Sequence, residues 1–233
     1  MTTPAPQPIT LTINKGLSAG ESFEVSGLFE RPADARALYL MAHGAGAGMR
    51  HAFLSDVSTA LAARGIATLR YQFPYMERGA RRPDAPAVCH AAVRAAVDWA
   101  GEHECTLPLI AGGKSFGGRM TSQAQALSPL PGVRGLAFLG FPLHPANKPA
   151  LTRADHLAAV RIPMLFLQGT RDALADPALI RQAVASFGSG ARLAAIEGAD
   201  HSFHVLARSG RNDTGVLREI ADALAEWIGL AAR

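Results

Sequence analysis

Apolar residues along this chain occur in short runs that are separated by glycine, proline and polar residues. The segment 10–13 alternates polar and apolar residues and predicts an edge strand, and the segment 23–29 predicts its neighbour. The later runs are almost wholly apolar, which is typical of strands buried on both faces of a sheet. These runs are 37–42 (ALYLMA), 66–71 (IATLRY), 107–112 (LPLIAG), 135–140 (GLAFLG), 164–169 (MLFLQG) and 192–198 (RLAAIEG).

Apolar residues at helical spacing lie between these runs. Phe53, Val57 and Leu61 share one helix face, and Gly65 follows them as a left-handed cap. Strands that alternate with helices predict an α/β fold with a parallel sheet covered on both faces, and with functional residues in the loops after the strands. Two further stripes are Cys89, Val93, Ala96 and Ala100, which follow Pro86, and Val216, Ile220, Leu224 and Trp227 near the C-terminus.

Composition predicts one globular domain covering residues 1–233. The chain has 48% hydrophobic and 18% charged residues, which is typical of a folded protein. Its net charge of +4 comes from arginines spread along the chain. Since no basic run is interleaved with aromatic residues, we expect no nucleic-acid partner.

The sequence contains few features that indicate a cellular compartment. Cys89 and Cys105 do not suffice for a disulfide framework. Residues 1–8 are polar and proline-rich and lack the features of a signal peptide. No apolar run approaches the roughly 18 residues of a membrane span. We therefore expect a cytoplasmic protein with no membrane partner, while the pattern leaves the oligomeric state open.

The segment 107–120, LPLIAGGKSFGGRM, contains two overlapping motifs. A phosphate-binding P-loop would need a glycine where Pro108 stands, and proline has no N–H to donate to a phosphate. The residues Gly113, Ser115 and Gly117 instead fit a G-x-S-x-G nucleophile elbow, in which small neighbours allow a strained serine between strand and helix. We therefore predict that Ser115 is a nucleophile.

Two later loops carry an aspartate and a histidine in the chain order that this motif requires. Asp172 follows the seventh predicted strand and His201 follows the eighth. A serine hydroxyl becomes nucleophilic when an imidazole takes its proton, and a carboxylate fixes the tautomer of that imidazole. Asp176 is the competing carboxylate, but its place before Pro177 is typical of a helix N-cap. The predicted triad is Ser115, His201 and Asp172.

The segment 43–48, HGAGAG, follows the third strand, where one donor of an oxyanion hole is expected. We assign the hole to the backbone N–H groups of Ala45 and Phe116. His43 is expected to hold this loop by hydrogen bonds. His201 and His204 form an H-x-x-H pair, but no third ligand has recognisable spacing, so we predict neither a metal site nor a cofactor.

Lys114 stands directly before the predicted nucleophile and has two interpretations. It is either a surface lysine on the first helical turn or a cation that attracts an anionic substrate. The loop 73–83, FPYMERGARRP, follows the fourth strand and is placed to overhang the same pocket, unless it is simply solvated. Its substrate-binding candidates are Tyr75 and Met76 as apolar walls and Arg78, Arg81 and Arg82 as anion-pairing charges.

Along nearly its whole length, the chain resembles an α/β hydrolase. The resemblance rests on LYLMAHGAGA, AGGKSFGGRM, LFLQGTRDAL and GADHSF, and more narrowly it points to the small dienelactone-hydrolase-like family that includes the testis-expressed hydrolase-like proteins. It implies an eight-stranded, mostly parallel sheet and a triad at Ser115, Asp172 and His201. Dienelactone hydrolases proper use a cysteine nucleophile, so their substrate does not carry over. Larger relatives have a lid after the sixth strand, whereas only residues 141–161 intervene here, so we expect no substantial cap domain.

These features favour a serine hydrolase that acts on a small-molecule acyl substrate, an ester or a thioester, through an acyl-enzyme. A non-catalytic binding or scaffold protein with the same fold is the alternative, because a fold alone does not determine function. A nucleotide-binding protein is a third hypothesis, and the failed P-loop pattern opposes it. Acyl-chain length and the choice among ester, thioester and amide stay open.

Overall fold

A computed structural model describes residues 5–14 and 22–232 of the chain; residues 1–4, 15–21 and 233 lie outside the described part, including half of the polar N-terminal stretch 1–8. Eight strands are present within the described residues. They are β1 (Gln7–Ile13), β2 (Phe23–Glu30), β3 (Ala37–Ala42), β4 (Ile66–Tyr71), β5 (Leu109–Lys114), β6 (Val133–Leu139), β7 (Met164–Gly169) and β8 (Ala191–Ile196).

All eight strands belong to one sheet, in the order β1-β2-β4-β3-β5-β6-β7-β8. The pairs β1–β2 and β2–β4 are antiparallel, and every other neighbouring pair is parallel. Every residue of β3, β4 and β7 is buried, as their continuous apolar runs predict. The predicted α/β hydrolase architecture, with an eight-stranded and mostly parallel sheet, is confirmed.

Helices cover both faces of this sheet. They are α1 (Ala52–Ala62), α2 (Pro74–Glu77), α3 (Pro86–His103), α4 (Phe116–Leu127), α5 (Pro177–Ser186) and α6 (Asp213–Ala231), and a 3-10 helix spans Thr152–Ala159. The apolar stripes of α1 and α6 pack together on one face of the sheet, and those of α3, α4 and α5 contribute to the core on the other face. The predicted stripes of α3 and α6 are buried throughout.

The glycine and the proline predicted to end and to begin helices lie where the sequence places them. Gly65 has a φ of 70° just after α1, so it is the expected left-handed residue. Pro86 is the first residue of α3. The strand predicted at 107–112 lies two residues later, because Pro108 precedes β5 and the ladder with β6 continues through Lys114.

The connection between β6 and β7 contains the 3-10 helix and no strand. The prediction that this connection holds no substantial cap is therefore confirmed. Every helix in residues 5–14 and 22–232 is too short or too polar to cross a bilayer.

Candidate active site

Ser115 lies between β5 and α4 with a φ of 50° and a ψ of −115°. This conformation is unfavourable for a residue with a side chain and persists only where the surroundings impose it. Two glycines allow the close packing around it. A Cβ on Gly113 would lie 2.1 Å from the carbonyl oxygen of Ala42, and one on Gly117 would lie 2.5 Å from that of His43. The backbone therefore forms the strained strand-to-helix turn that the motif predicts.

A chain of hydrogen bonds links the three predicted triad residues. His201 Nε2 lies 2.8 Å from Ser115 Oγ, and His201 Nδ1 lies 2.7 Å from Asp172 Oδ2. A carboxylate can only accept, so Nδ1 carries the imidazole proton and Nε2 is left to accept the hydroxyl proton of Ser115. The loops after β5, β7 and β8 bring these residues together, because parallel strands end at the same edge of the sheet.

Asp172 is held in place by two further donors. Its side chain is buried and accepts hydrogen bonds from Gln168 Nε2 at 2.5 Å and from the Leu174 N–H at 2.7 Å. These contacts fix the carboxylate toward His201. Gln168 was not anticipated from the sequence, although a polar residue at the end of the apolar run MLFLQG was an available signal.

The neighbouring carboxylates have other roles. Asp176 accepts hydrogen bonds from the N–H groups of Ala178 and Leu179, so its predicted N-cap role at α5 is confirmed. Asp200 accepts from the N–H groups of Ser202 and His204 and thereby shapes the loop that carries His201.

The loop 43–48 passes directly beside the elbow. A Cβ on Gly44 would lie 3.8 Å from Ser115 Cβ, and Ala45 lines the same cleft as Ser115. Phe116 is the first residue of α4, so its N–H has no acceptor within the helix. Within the described residues, neither the Ala45 nor the Phe116 amide donates a hydrogen bond to the protein. Neither amide therefore has a protein acceptor that would compete with a bound oxygen.

Hydrogen bonds of His43 hold this loop in place, as predicted. Its buried ring accepts a hydrogen bond from the Phe73 N–H at Nε2 (3.1 Å) and donates to the Gly44 carbonyl from Nδ1 (2.7 Å). Burial lowers the pKa of His43 to about 4, so the ring is neutral near pH 7.

No residue of the loop 73–83 lines the cleft. The structure therefore does not support the substrate-binding roles expected for this loop. Tyr75 is fully buried, and its hydroxyl accepts a hydrogen bond from the Gly46 N–H at 3.0 Å. Met76 packs near Gly48. Arg78 forms an ion pair with Asp84 at 2.5 Å, and Arg81 and Arg82 are exposed.

A short helix explains this difference from the prediction. Residues 74–77 fold as α2, and Glu77 accepts hydrogen bonds from the Ser26 N–H and hydroxyl at 3.0 and 2.8 Å. These contacts hold the segment against β2 rather than over Ser115.

Lys114 is the last residue of β5 and does not lie on the first turn of α4. Its Nζ donates to the carbonyl oxygen of His201 at 2.6 Å and lies 5.3 Å from the centre of the Phe203 ring. Burial lowers the pKa of Lys114 to about 8, while Asp172 and Asp200 oppose that shift. The interpretation as a surface lysine is therefore wrong.

The cleft that contains Ser115 has a volume of about 360 Å³. Among the described residues, no group of histidine, cysteine and acidic side chains is arranged to hold a metal ion, and His204 instead contacts Asp213. Small and apolar residues dominate the walls. The lining consists of Gly44, Ala45, Ala47, His51, Phe53, Leu54, Lys114, Ser115, Leu174, His201 and Ser202.

Comparison with known proteins agrees with this geometry. A family model described as an alpha/beta hydrolase domain matches residues 35–229. A dienelactone hydrolase from Anabaena variabilis superimposes with a TM-score of 0.74 at 24% identity, over 99% of this chain and 100% of that one. A serine hydrolase without a lid from Xanthomonas campestris gives a TM-score of 0.71 at 18% identity, over 97% of both chains. An esterase domain from Rhodothermus marinus gives 0.68 at 18% identity, over 95% and 98%. At these identities the likenesses show a shared fold.

Proposed function

Because the chain belongs to the α/β hydrolase family, we propose that it is a serine hydrolase that cleaves a small carboxylic ester or thioester. The observation that carries this proposal is the continuous hydrogen-bonded path from Asp172 through His201 to Ser115. Each member has the donor or acceptor that its role needs, in the order carboxylate, imidazole, hydroxyl.

In the first half of the reaction, Ser115 Oγ attacks the acyl carbon while His201 Nε2 takes the hydroxyl proton. Asp172 accepts the Nδ1–H and stabilises the imidazolium that forms. The amides of Ala45 and Phe116 donate to the oxyanion of the tetrahedral intermediate. Each such donor contributes roughly 3 kcal/mol at the transition state.

Collapse of that intermediate breaks the bond to the alcohol or thiol, which leaves with the proton from His201. A water molecule then attacks the acyl-enzyme while His201 Nε2 takes one of its protons. When the second intermediate collapses, Ser115 Oγ recovers a proton from His201 and the carboxylic acid is released. The reaction needs no cofactor, because every proton moves between Ser115, His201, water and substrate.

The lining of the cleft favours a substrate with a small acyl group. Its walls near Ser115 come from Ala45, Ala47, Leu54 and Leu174, which offer apolar contact and leave few polar groups to satisfy.

A fluorophosphonate probe tests this proposal, because it reacts only with an activated serine. We expect labelling of the wild type, hydrolysis of a short p-nitrophenyl ester, and loss of both in Ser115→Ala. Ser128→Ala removes an exposed serine at the end of α4 and serves as the matched control. An unlabelled, folded wild type would favour the non-catalytic scaffold instead.

A further inference from the structure

We propose that Lys114 is a positioning residue that holds the main chain of the His201 loop, and so keeps the imidazole within reach of Ser115. This inference rests on the proposed function. It gives a role to the residue that separates Gly113 from the nucleophile in the elbow.

The contact joins two parts of the site that are far apart in sequence. The Lys114 peptide leads directly into Ser115, and its Nζ donates to the His201 carbonyl at 2.6 Å. A short hydrogen bond from a charged donor is stronger than a neutral one. The strand that presents the nucleophile therefore also holds the backbone of the general base.

The surroundings leave room for this ammonium group. Gly140 has a φ of 70°, and a Cβ there would lie 3.0 Å from Lys114 Nζ and 3.6 Å from the His201 ring. A Cβ at position 140 would therefore press on the Lys114 ammonium group, while it would make an ordinary van der Waals contact with the His201 ring. Gly140 opens a space in which the two side chains lie together.

An aromatic pair completes the environment of Lys114. Phe203 lies under the ammonium group at 5.3 Å and stacks on Phe53 with ring centres 5.4 Å apart. The φ of Phe203 is 63°, an unfavourable conformation that places its ring in this position. A cation over an aromatic face is stabilised electrostatically. Lys114 therefore contacts the His201 loop at two points.

No carboxylate in residues 5–14 and 22–232 forms a direct ion pair with Lys114. Asp172 and Asp200 face it at longer range from the loops after β7 and β8. The contacts of the ammonium group are thus with the protein loop itself. This arrangement favours a positioning role over capture of an anionic substrate.

The two roles predict different kinetics. A positioning residue changes kcat for every ester alike, because it acts through His201. A substrate-binding cation changes KM, and only for esters that carry a negative charge. Neutral p-nitrophenyl acetate and anionic mono-(p-nitrophenyl) succinate form a suitable substrate pair.

The central variant is Lys114→Met, which keeps the length of the side chain and removes its donor. We expect kcat to fall by about 10- to 100-fold on both esters, with KM changed by less than about twofold. Lys114→Arg should recover part of the rate, because it restores a charged donor. Lys148→Met removes an exposed lysine and should behave as the wild type.

The pH profile supplies a second readout that does not depend on folding of the Met variant. Burial lowers the pKa of Lys114 to about 8, so its ammonium form is lost as pH rises through that value. The neutral amine still donates an N–H but loses its charge, so the wild-type kcat should fall in part over this range, while Lys114→Arg, which stays protonated, should show no such fall. Asp172, Asp200 and His201 face this position in both proteins, so the comparison isolates residue 114.

Two results would overturn the proposal. They are an unchanged kcat in folded Lys114→Met and a loss of rate confined to the anionic ester. The low-field proton signal of His201 Nδ1–H in NMR spectra is a readout independent of turnover. It should shift or broaden in Lys114→Met and stay in place in Lys148→Met. Failure of Ser115 labelling in the wild type would refute the hydrolase function separately.

Discussion

Tyr75 supports the proposed oxyanion hole without lining the cleft. Its hydroxyl accepts the N–H of Gly46, the residue that follows the proposed donor Ala45. A typical intramolecular hydrogen bond contributes about 0.5–1.5 kcal/mol, and Gly46 is exposed, so the loop is expected to relax toward water if this hydroxyl is removed.

We expect Tyr75→Phe to lower kcat about 10-fold on a p-nitrophenyl ester and to leave KM nearly unchanged, because a displaced donor weakens binding of the oxyanion. Ser58→Ala is the matched control, since Ser58 is also buried and donates to the Glu30 carboxylate at 2.8 Å, and neither residue lines the cleft. Both variants should lose stability. Equal kcat values in the two variants would exclude this role for Tyr75.

At the scale of the element, the elbow depends on close approach between α4 and β3. A Cβ on Gly117 would meet the carbonyl oxygens of His43 and Ala42 at 2.5 and 2.6 Å, and backbone atoms cannot move aside easily. The turn and α4 can therefore pack this closely against β3 only because residue 117 has no side chain.

Gly117→Ala should lower the free energy of unfolding by about 3 kcal/mol through this overpacking. Gly101→Ala is the control within a helix, because a Cβ at that position of α3 meets no atom within 4 Å. Since alanine has the higher helix propensity, that variant should gain up to about 1 kcal/mol. Urea unfolding measures both changes, and equal destabilisation would contradict the packing argument.

Elements that depend on local pattern were predictable from the sequence. The bounds of β3, β4 and β7 coincide with their apolar runs, because a strand buried on both faces has to be apolar throughout. The convergence of Ser115, Asp172 and His201 follows from chain order and from the shared edge of parallel strands. Their catalytic roles stay predictions, which labelling and kinetics will test.

Other features depend on loop conformations that have no local signature. The four residues of α2 turn toward β2 through Glu77, so Tyr75 reaches Gly46 rather than a substrate. Lys114 reaches His201 through a loop that Asp200 shapes by its own hydrogen bonds. Spacing along the chain contains no information on these contacts between distant loops.

For the whole molecule, buried His43 links stability to pH. Its pKa is about 4 in the folded protein, against an ordinary value of 6.5. Between these two values the unfolded chain binds more protons than the folded one, so stability rises with pH. The stabilisation is complete above about pH 6.5 and is lost as pH falls toward 4.

We expect the free energy of unfolding to fall by about 1.4 kcal/mol for each pH unit within this window, from His43 alone. Urea unfolding at a series of pH values measures the slope. His43→Gln should reduce it, because glutamine does not titrate. A slope that is the same in the variant and the wild type would assign the acid sensitivity to other groups.

The short connection between β6 and β7 has a consequence for how substrates arrive. Since the described residues between these strands form no cap, we expect substrate to reach Ser115 without a conformational step, at a rate set by diffusion and orientation. If the proposed hydrolase function holds, one acid esterified to alcohols of very different size should be hydrolysed at similar rates, and a panel of such esters measures this.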